Sequence, residues 1–384
     1  MSGQPSVGIG MVGYAFMGRA HSQAWHTVGR AFDLPVRPRL AAVCGRDEAA
    51  ARAAADRLGW AAVETDWRAL IARDDVQLID ISAPGDLHAP VAIAALRAGK
   101  HVLCEKPLAN TLAEAEAMAA AADATGPSGA RAMVGFNYRR VPALALARRL
   151  VAGGRLGPLR HVRAVYLQDW LVDPGAPMTW RMQAEKAGSG ALGDLGAHIV
   201  DLAQYLTGDV ITGVSAVSAT FTGERPLPEG SGTGQVTVDD AVVFSARLGS
   251  GALASFEATR CAAGRKNGLR IELNGSAGSI AFDLERLNEL EFFDRTDPAD
   301  SAAATGGFRR ILVTEPGHPY LSGWWPPGHT LGWEHTFTHQ AADLLTAIAA
   351  GTQPEPSFAD GLAVQRVLDA VQRSAASGSG WAAV

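Results

Sequence analysis

Val7-Gly8-Ile9-Gly10-Met11-Val12-Gly13-Tyr14-Ala15-Phe16-Met17-Gly18 reads as a short apolar strand, a glycine-bearing turn and the start of a helix. The last six residues form a G-x-A-x-x-G pattern, placed where a G-x-G-x-x-G turn would cradle a pyrophosphate. Gly13 suits the tight turn, and Gly18 lets the helix approach the sheet. Ala15, Phe16 and Met17 would turn backbone N–H groups at the helix N-terminus toward the phosphates. Ala15 breaks the standard pattern at one site, and its methyl crowds the phosphates slightly.

Strands and helices alternate outward from this turn. Arg39–Cys44, Leu78–Ser82, His101–Cys104 and Ala132–Phe136 are strand-like, and Met17–Arg30, Glu48–Leu58, Asp66–Ala72, Pro90–Ala98 and Leu112–Ala124 have helical spacing. Such interleaving implies βαβ units and a parallel sheet covered on both faces. After Asn137 the texture changes. A helix at Pro142–Gly153, a strand at His161–Gln168 and a helix at Asp194–Leu206 lead into six further strands between Gly213 and Phe293. Turns such as Gly249-Ser250-Gly251 separate them, which predicts an antiparallel sheet. Glu224–Asp239 and Arg295–Gly332 are Gly/Pro-rich loops, too long for plain connectors. Helices near His335–Ala350 and Phe358–Ser374 close the chain. The expected domains are 1–138 and 139–384, with the last helices able to pack back on the first.

A length of 384 residues favours two domains, and 47% hydrophobic with 19% charged residues describes a globular chain. A formal charge of −5 gives no basic footprint for nucleic acid or anionic lipid. Cys44, Cys104 and Cys261 lie far apart, which fits reduced thiols. No apolar run reaches the roughly 18–20 residues that span a bilayer, and the N-terminus lacks a signal-peptide pattern. A cytoplasmic protein without nucleic-acid or membrane partners is expected.

Three side chains point to redox chemistry on an alcohol. Lys106, in Cys104-Glu105-Lys106-Pro107, follows a strand and should project from the carboxyl edge of the parallel sheet, where ligands bind. A lysine beside a nicotinamide and a buried hydroxyl can have a lowered pKa, and its neutral amine can then shuttle the alcohol proton. Asp194 and His198 are four residues apart, hence on one helix face. The imidazole can exchange the substrate proton while the carboxylate orients substrate or lysine, and Asp201 one turn on could fix the tautomer. The plainer alternative is an N-cap aspartate with a buried histidine. His335 and His339 repeat the spacing, but neither pair has a third ligand, so no metal is expected. At the end of the second strand, Gly45 stands where an NAD site usually has an acid, with Arg46 beside it and Asp47 next. That leans toward the 2′-phosphate of NADP. Polar and aromatic residues suited to a sugar recur at Asn137-Tyr138-Arg139-Arg140, Tyr166-Leu167-Gln168-Asp169-Trp170, Trp180-Arg181, and at His318, Tyr320, Trp324 and Trp325.

Glu105-Lys106-Pro107 and Asp194-Leu195-Gly196-Ala197-His198 together resemble the E-K-P and D-x-x-x-H motifs of the glucose–fructose oxidoreductase, inositol dehydrogenase and rhizopine catabolism family (Gfo/Idh/MocA). The resemblance covers nearly the whole chain. It implies an α/β fold: an N-terminal Rossmann doubly wound parallel sheet, then a C-terminal α/β domain with an open, mostly antiparallel sheet. It further implies that Lys106, Asp194 and His198 are catalytic. Cofactor contacts would come from Gly13, Ala15, Phe16, Met17, Gly45, Arg46, Pro84, His88, Glu105 and Lys106. Asn137-Tyr138-Arg139-Arg140, Tyr166-Leu167-Gln168-Asp169-Trp170 and the Gly188–Asp194 lead-in are similar to the levoglucosan dehydrogenase branch, which oxidises the C3 hydroxyl of an anhydrosugar or glycoside. By that likeness Tyr138, Gln168, Trp170, Arg181, His318 and Tyr320 line the sugar pocket with Asp194 and His198. Two departures touch the nicotinamide side: Ala15, and Gly85 where the family's P-N-x-x-H motif has asparagine. The branch points to NAD, against the lean from Gly45 and Arg46. The expected activity is NAD(P)-dependent oxidation of a ring hydroxyl of a sugar, anhydrosugar, glycoside or cyclitol, in a homodimer or homotetramer built through the C-terminal sheet. An NADPH-dependent keto-sugar reductase and a non-catalytic dinucleotide sensor are the alternatives.

Overall fold

The computed structural model describes residues 4–127, 129–228, 230, 232–297 and 305–384. The chain forms two compact units: Met1–Asn137 with Gly332–Leu362, and Tyr138–Leu331 with Ala363–Val384.

In the first unit six strands form a parallel sheet: β1 (Ser6–Val12), β2 (Arg37–Cys44), β3 (Ala62–Glu64), β4 (Leu78–Ile81), β5 (His101–Cys104) and β6 (Ala132–Val134). Their order is β3-β2-β1-β4-β5-β6, the doubly wound Rossmann arrangement. The order reverses between β1 and β4, so the turn after β1 opens at the switch point where such sheets bind ligands. β3 was not expected from the sequence: three half-buried residues carry too little pattern to read. Both faces of the sheet are covered, so its central strands are buried and almost wholly apolar. All four residues of β4 are buried, Asp80 among them. The helix Phe16–Ala31 turns Trp25 and Val28 onto Ile9 and Met11, and the returning helix His335–Ala350 adds Ala341, Leu344 and Leu345 to the same core. Side chains of this size contribute about 1.5–3 kcal/mol each when fully buried.

The second unit is built on nine strands: β7 (Leu159–Leu167), β8 (Ile211–Ala219), β11 (Ala241–Leu248), β12 (Leu253–Thr259), β13 (Gly268–Gly275), β14 (Gly278–Asp283), β15 (Glu289–Asp294), β16 (Arg309–Leu312) and β17 (Ala382–Ala383). A hairpin of β9 (Glu224–Pro226) and β10 (Thr233–Gln235) stands apart from them. The order β16-β15-β14-β13-β7-β12-β11-β8-β17 is antiparallel except for the parallel pair β7–β12. Along β11 Val242, Phe244, Ala246 and Leu248 are buried, while Val243, Ser245 and Arg247 are exposed. The period of two shows one face packed and one open. The helices Pro142–Ala152 and Ala197–Thr207 pack on the sheet. The two long loops contain more structure than their composition suggested: β9 and β10 lie in one, β16 in the other. Residues 229, 231 and 298–304 of those loops lie outside the described residues. No helix among the described residues is long and apolar enough to cross a membrane.

Candidate active site

The dinucleotide side begins at Gly13, whose φ of +96° is open to glycine and strained for other residues. A Cβ there would stand 2.9 Å from the Ser82 carbonyl oxygen. At Gly18 a Cβ would come within 2.3 Å of the Gly13 oxygen, so glycine alone lets the helix seat against the turn. Ala15 occupies the N-cap of the helix Phe16–Ala31, which has no capping side chain and no acid in its first turn. Its leading N–H groups and positive dipole end thus suit a pyrophosphate. The residues present fit a dinucleotide. The exposed Phe16 ring stacks on Trp333, with centroids 5.5 Å apart.

Beyond β2, Tyr14 lies over Gly45, where a Cβ would meet its ring at 2.0 Å. Asp47, which the sequence left able to swing inward, accepts the Ala50 N–H at 3.0 Å and caps the helix Glu48–Leu58. Arg46 is exposed and makes no ion pair among the described residues. Pro84 opens a short 3-10 turn, Gly85–Leu87. His88 corrects an expectation. Its Nδ1 is 2.9 Å from the Pro107 oxygen and its Nε2 3.1 Å from the Ala83 oxygen, so both nitrogens face backbone carbonyls and the neutral ring donates to one of them. The ring lies between the turn after β4 and the turn carrying Lys106, and its nitrogens face inward to backbone where the sequence suggested a cofactor contact.

Glu105 also departs from its expected role. Its side chain is buried: Oε1 lies 3.0 Å from His21 Nε2, and Oε2 accepts the Lys106 backbone N–H at 3.1 Å. It anchors the turn from inside rather than facing a ligand. Lys106 follows β5 half-buried, at the carboxyl edge of the sheet, and its bond to Pro107 is cis.

In the second unit the expected helix from Asp194 begins as a π-turn over Leu192–Gly196, followed by the α-helix Ala197–Thr207. Asp194 therefore lies inside the wider turn, not at an N-cap. The capping work is done from a distance: Asp239 Oδ1 accepts the Gly190 N–H at 2.7 Å, Oδ2 accepts the Leu192 N–H at 2.8 Å, and its carbonyl oxygen accepts the Ala191 N–H at 3.0 Å. A Cβ at Gly190 would stand 1.7 Å from that carbonyl oxygen, which explains the glycine-rich lead-in. π-turns concentrate at functional positions. Asp201 lies one turn beyond His198 on the same helix. Its carboxylate receives Arg139, with Nη2 at 2.6 Å and Nε at 3.0 and 3.1 Å, in a buried ion pair.

His198 is buried against two tyrosine rings, Tyr138 at 4.6 Å and Tyr166 at 5.8 Å between centroids. The two phenol oxygens are 2.9 Å apart, and Tyr166 donates to Asn267 Oδ1 at 2.7 Å. The same Oδ1 accepts Gln168 Nε2 at 2.8 Å, and Gln168 Oε1 accepts the Trp170 indole N–H at 3.0 Å. Burial raises the Tyr166 phenol well above its ordinary range, with the Tyr138 hydroxyl and the Asp194 charge adding to it. Tyr138, Gln168, Trp170 and His198 thus join one polar and aromatic chain. Arg181 lies over the Trp180 ring at 4.5 Å. His318 Nδ1 accepts the Glu315 N–H at 3.0 Å, which puts its proton on Nε2; burial lowers its pKa. Tyr320 adopts φ +64°, a strained conformation of the kind that collects at functional sites. Among the described residues no cluster of three or more His, Cys, Asp or Glu is placed to hold a metal.

Sequence reasoning missed Asn267, Asp239 and the His21–Asp80 pair. A carboxylate within Leu78-Ile79-Asp80-Ile81 was the one legible signal among these, since an aspartate in a fully apolar strand needs a buried partner.

The comparisons with known proteins agree with this architecture. Residues 7–136 match the oxidoreductase family model with an NAD-binding Rossmann fold, and residues 144–281 match the GFO/IDH/MocA C-terminal domain. The chain belongs to the GFO/IDH/MocA oxidoreductase family. It is 42% identical to levoglucosan dehydrogenase of Pseudarthrobacter phenanthrenivorans, over 97% of both chains. An oxidoreductase domain protein from Kribbella flavida superposes with a TM-score of 0.95 at 64% identity, over 99% of each chain. A levoglucosan dehydrogenase in complex with NADH and levoglucosan superposes with a TM-score of 0.93 at 42% identity, again over 99% of each.

Asp239→Ala removes two acceptors from the start of the segment that carries Asp194 and His198. Urea unfolding should show a loss of about 1–2 kcal/mol, typical of a deleted helix cap. An unchanged midpoint would mean that the cap carries no stability.

Proposed function

We propose that this sugar dehydrogenase of the GFO/IDH/MocA family oxidises a ring hydroxyl of a pyranose-type substrate, an anhydrosugar or glycoside. The observation that carries the reading is the chain Tyr138–Tyr166–Asn267–Gln168–Trp170 beside His198. Aromatic faces suit the apolar faces of a sugar ring, and the fixed amides suit its hydroxyls. The 42% identical relative named for levoglucosan supports the same choice.

When bound, the nicotinamide supplies the hydride acceptor, taking a hydride at C4 from the carbinol carbon. The amine of Lys106 accepts the hydroxyl proton as the C–O bond gains its double bond, and His198 assists that transfer. The Asp194 carboxylate holds the reacting hydroxyl in register. His198 cannot drift while two tyrosine rings pack on it, so orientation supplies much of the rate. Lys106→Ala should then lower kcat by about 10²- to 10⁴-fold, the usual loss of a general base, with dinucleotide affinity within about threefold. Wild-type turnover in steady-state assays of that variant would exclude the mechanism.

The family's Rossmann domain binds NAD, and we infer that NADP is accepted as well. With Asp47 committed to its helix cap, the exposed Arg46 is the charged group beside the second strand's end that a 2′-phosphate could meet. Arg46→Ala should raise KM for NADP by about tenfold or more, the value of one charge-assisted contact, and leave KM for NAD within about twofold. Equal effects on both cofactors, or no use of NADP by the wild type, would remove this reading.

A further inference from the structure

Asp80 has no exposed surface, and neither do Ile79 and Ile81 on either side of it. An unpaired carboxylate there would cost several kcal/mol, so its partners carry information. The indole N–H of Trp25 donates to Oδ2 at 2.7 Å, and His21 Nδ1 lies 2.9 and 3.0 Å from the two carboxylate oxygens. The other ring nitrogen, Nε2, lies 3.0 Å from Glu105 Oε1. Glu105 Oε2 then accepts the backbone N–H of Lys106. His21 and Trp25 sit one turn apart on the helix Phe16–Ala31, whose start is the dinucleotide turn. The chain Trp25–Asp80–His21–Glu105–Lys106 thus runs from that helix, through the centre of the sheet, to the lysine.

A neutral imidazole carries one N–H, so a ring facing a carboxylate at each nitrogen donates to both only as the imidazolium. Burial works against the charged ring, yet the charge and hydrogen bonds of Asp80, and then those of Glu105, push its pKa up to about 10. Burial likewise raises Glu105, but its bonds to His21 and the Lys106 charge hold it below the ordinary carboxylate range. The space around the chain is shaped for it. A Cβ at Gly135 would stand 2.8 Å from Glu105 Oε1, and the Phe337 ring lies 5.3 Å from the imidazole.

We propose that His21 is a positioning residue for the reaction: as an imidazolium clamped by Asp80, it holds Glu105, and through it the Lys106 turn, in fixed register with the helix that receives the dinucleotide. Within the first unit, His88 Nδ1 lies 2.9 Å from the Pro107 carbonyl oxygen of the same turn. The inference rests on the dehydrogenase reading for the role of Lys106. It extends that reading by naming three residues, His21, Asp80 and Trp25, that act on the lysine without touching substrate.

The test uses the full-length protein with NAD and an oxidised sugar. His21→Gln cannot bridge two carboxylates as a cation, and the isosteric Asp80→Asn weakens the clamp while leaving His21 in place. If lysine position is what the chain controls, kcat should fall by about tenfold or more in His21→Gln and about three- to tenfold in Asp80→Asn, with sugar KM and NAD affinity within about twofold. Nitrogen-15 NMR of the wild-type imidazole at about pH 8 should show both His21 nitrogens protonated, where a free histidine is neutral. Wild-type kcat in Asp80→Asn, a neutral His21 ring, or kcat and NAD affinity falling together in both variants would overturn the proposal. Should His21→Gln fail to fold, Asp80→Asn and the NMR measurement decide. If the wild type oxidises no sugar, the dehydrogenase reading fails, and the NMR result alone rules on the imidazolium.

Discussion

A carboxylate cannot remain in the middle of a buried parallel strand unless something answers its charge, and in β4 that carboxylate is Asp80. The answer is one imidazole and one indole from the helix that follows the dinucleotide turn. That requirement fixes which face of the helix points inward, and it fixes the helix against the sheet. Gly18 permits the close approach that brings the helix near enough. The other nitrogen of the same imidazole reaches Glu105, so the end of β5 is set by the same contacts. The nucleotide turn and the lysine turn, separated by almost ninety residues, are joined through these contacts within the first unit.

The second unit solves a similar problem with opposite charges. Arg225 and Arg260 are buried, and their guanidinium groups donate to carbonyl oxygens: Arg225 to Leu171 and Asp173, Arg260 to Arg181 and Asp239. Asp239 meanwhile holds the leading N–H groups of the π-turn. Arg260 also lies 5.3 Å from the ring of Trp170, the last member of the chain that begins at Tyr138. Buried charges here serve as fasteners for loop backbone, and the loops they fasten carry Asp194, Arg181 and Trp170.

The alternation of strands and helices was legible because it rests on local periodicity, and Glu48–Leu58 and His101–Cys104 fall at the residues their patterns indicate. The glycine turn was legible because Gly13 and Gly18 are required by backbone geometry that few other residues satisfy. The losses were of two kinds. β3, β9 and β10 are three residues each, too short for a period of two to register. The rest depended on long-range partners. Asp194 looked like an N-cap because sequence shows the helix start but not Asp239, which arrives from 45 residues further on to take that task. Nothing near Asp201 or His88 in sequence announced the Arg139 guanidinium that pairs with the one or the two backbone carbonyls that the other faces. Asn267 had no motif at all; its importance comes from two donors that converge on one oxygen.

The account stands or falls on direct transfer of hydrogen from a sugar carbon to the nicotinamide. The most direct measurement uses levoglucosan and simple glycosides deuterated at every ring carbon, incubated with the protein and NAD or NADP, followed by mass and NMR analysis of the reduced cofactor. The account predicts one deuterium at C4 of the dihydronicotinamide for each sugar oxidised. Reduced cofactor without the label, or no reduction with any pyranose despite dinucleotide binding, would contradict it.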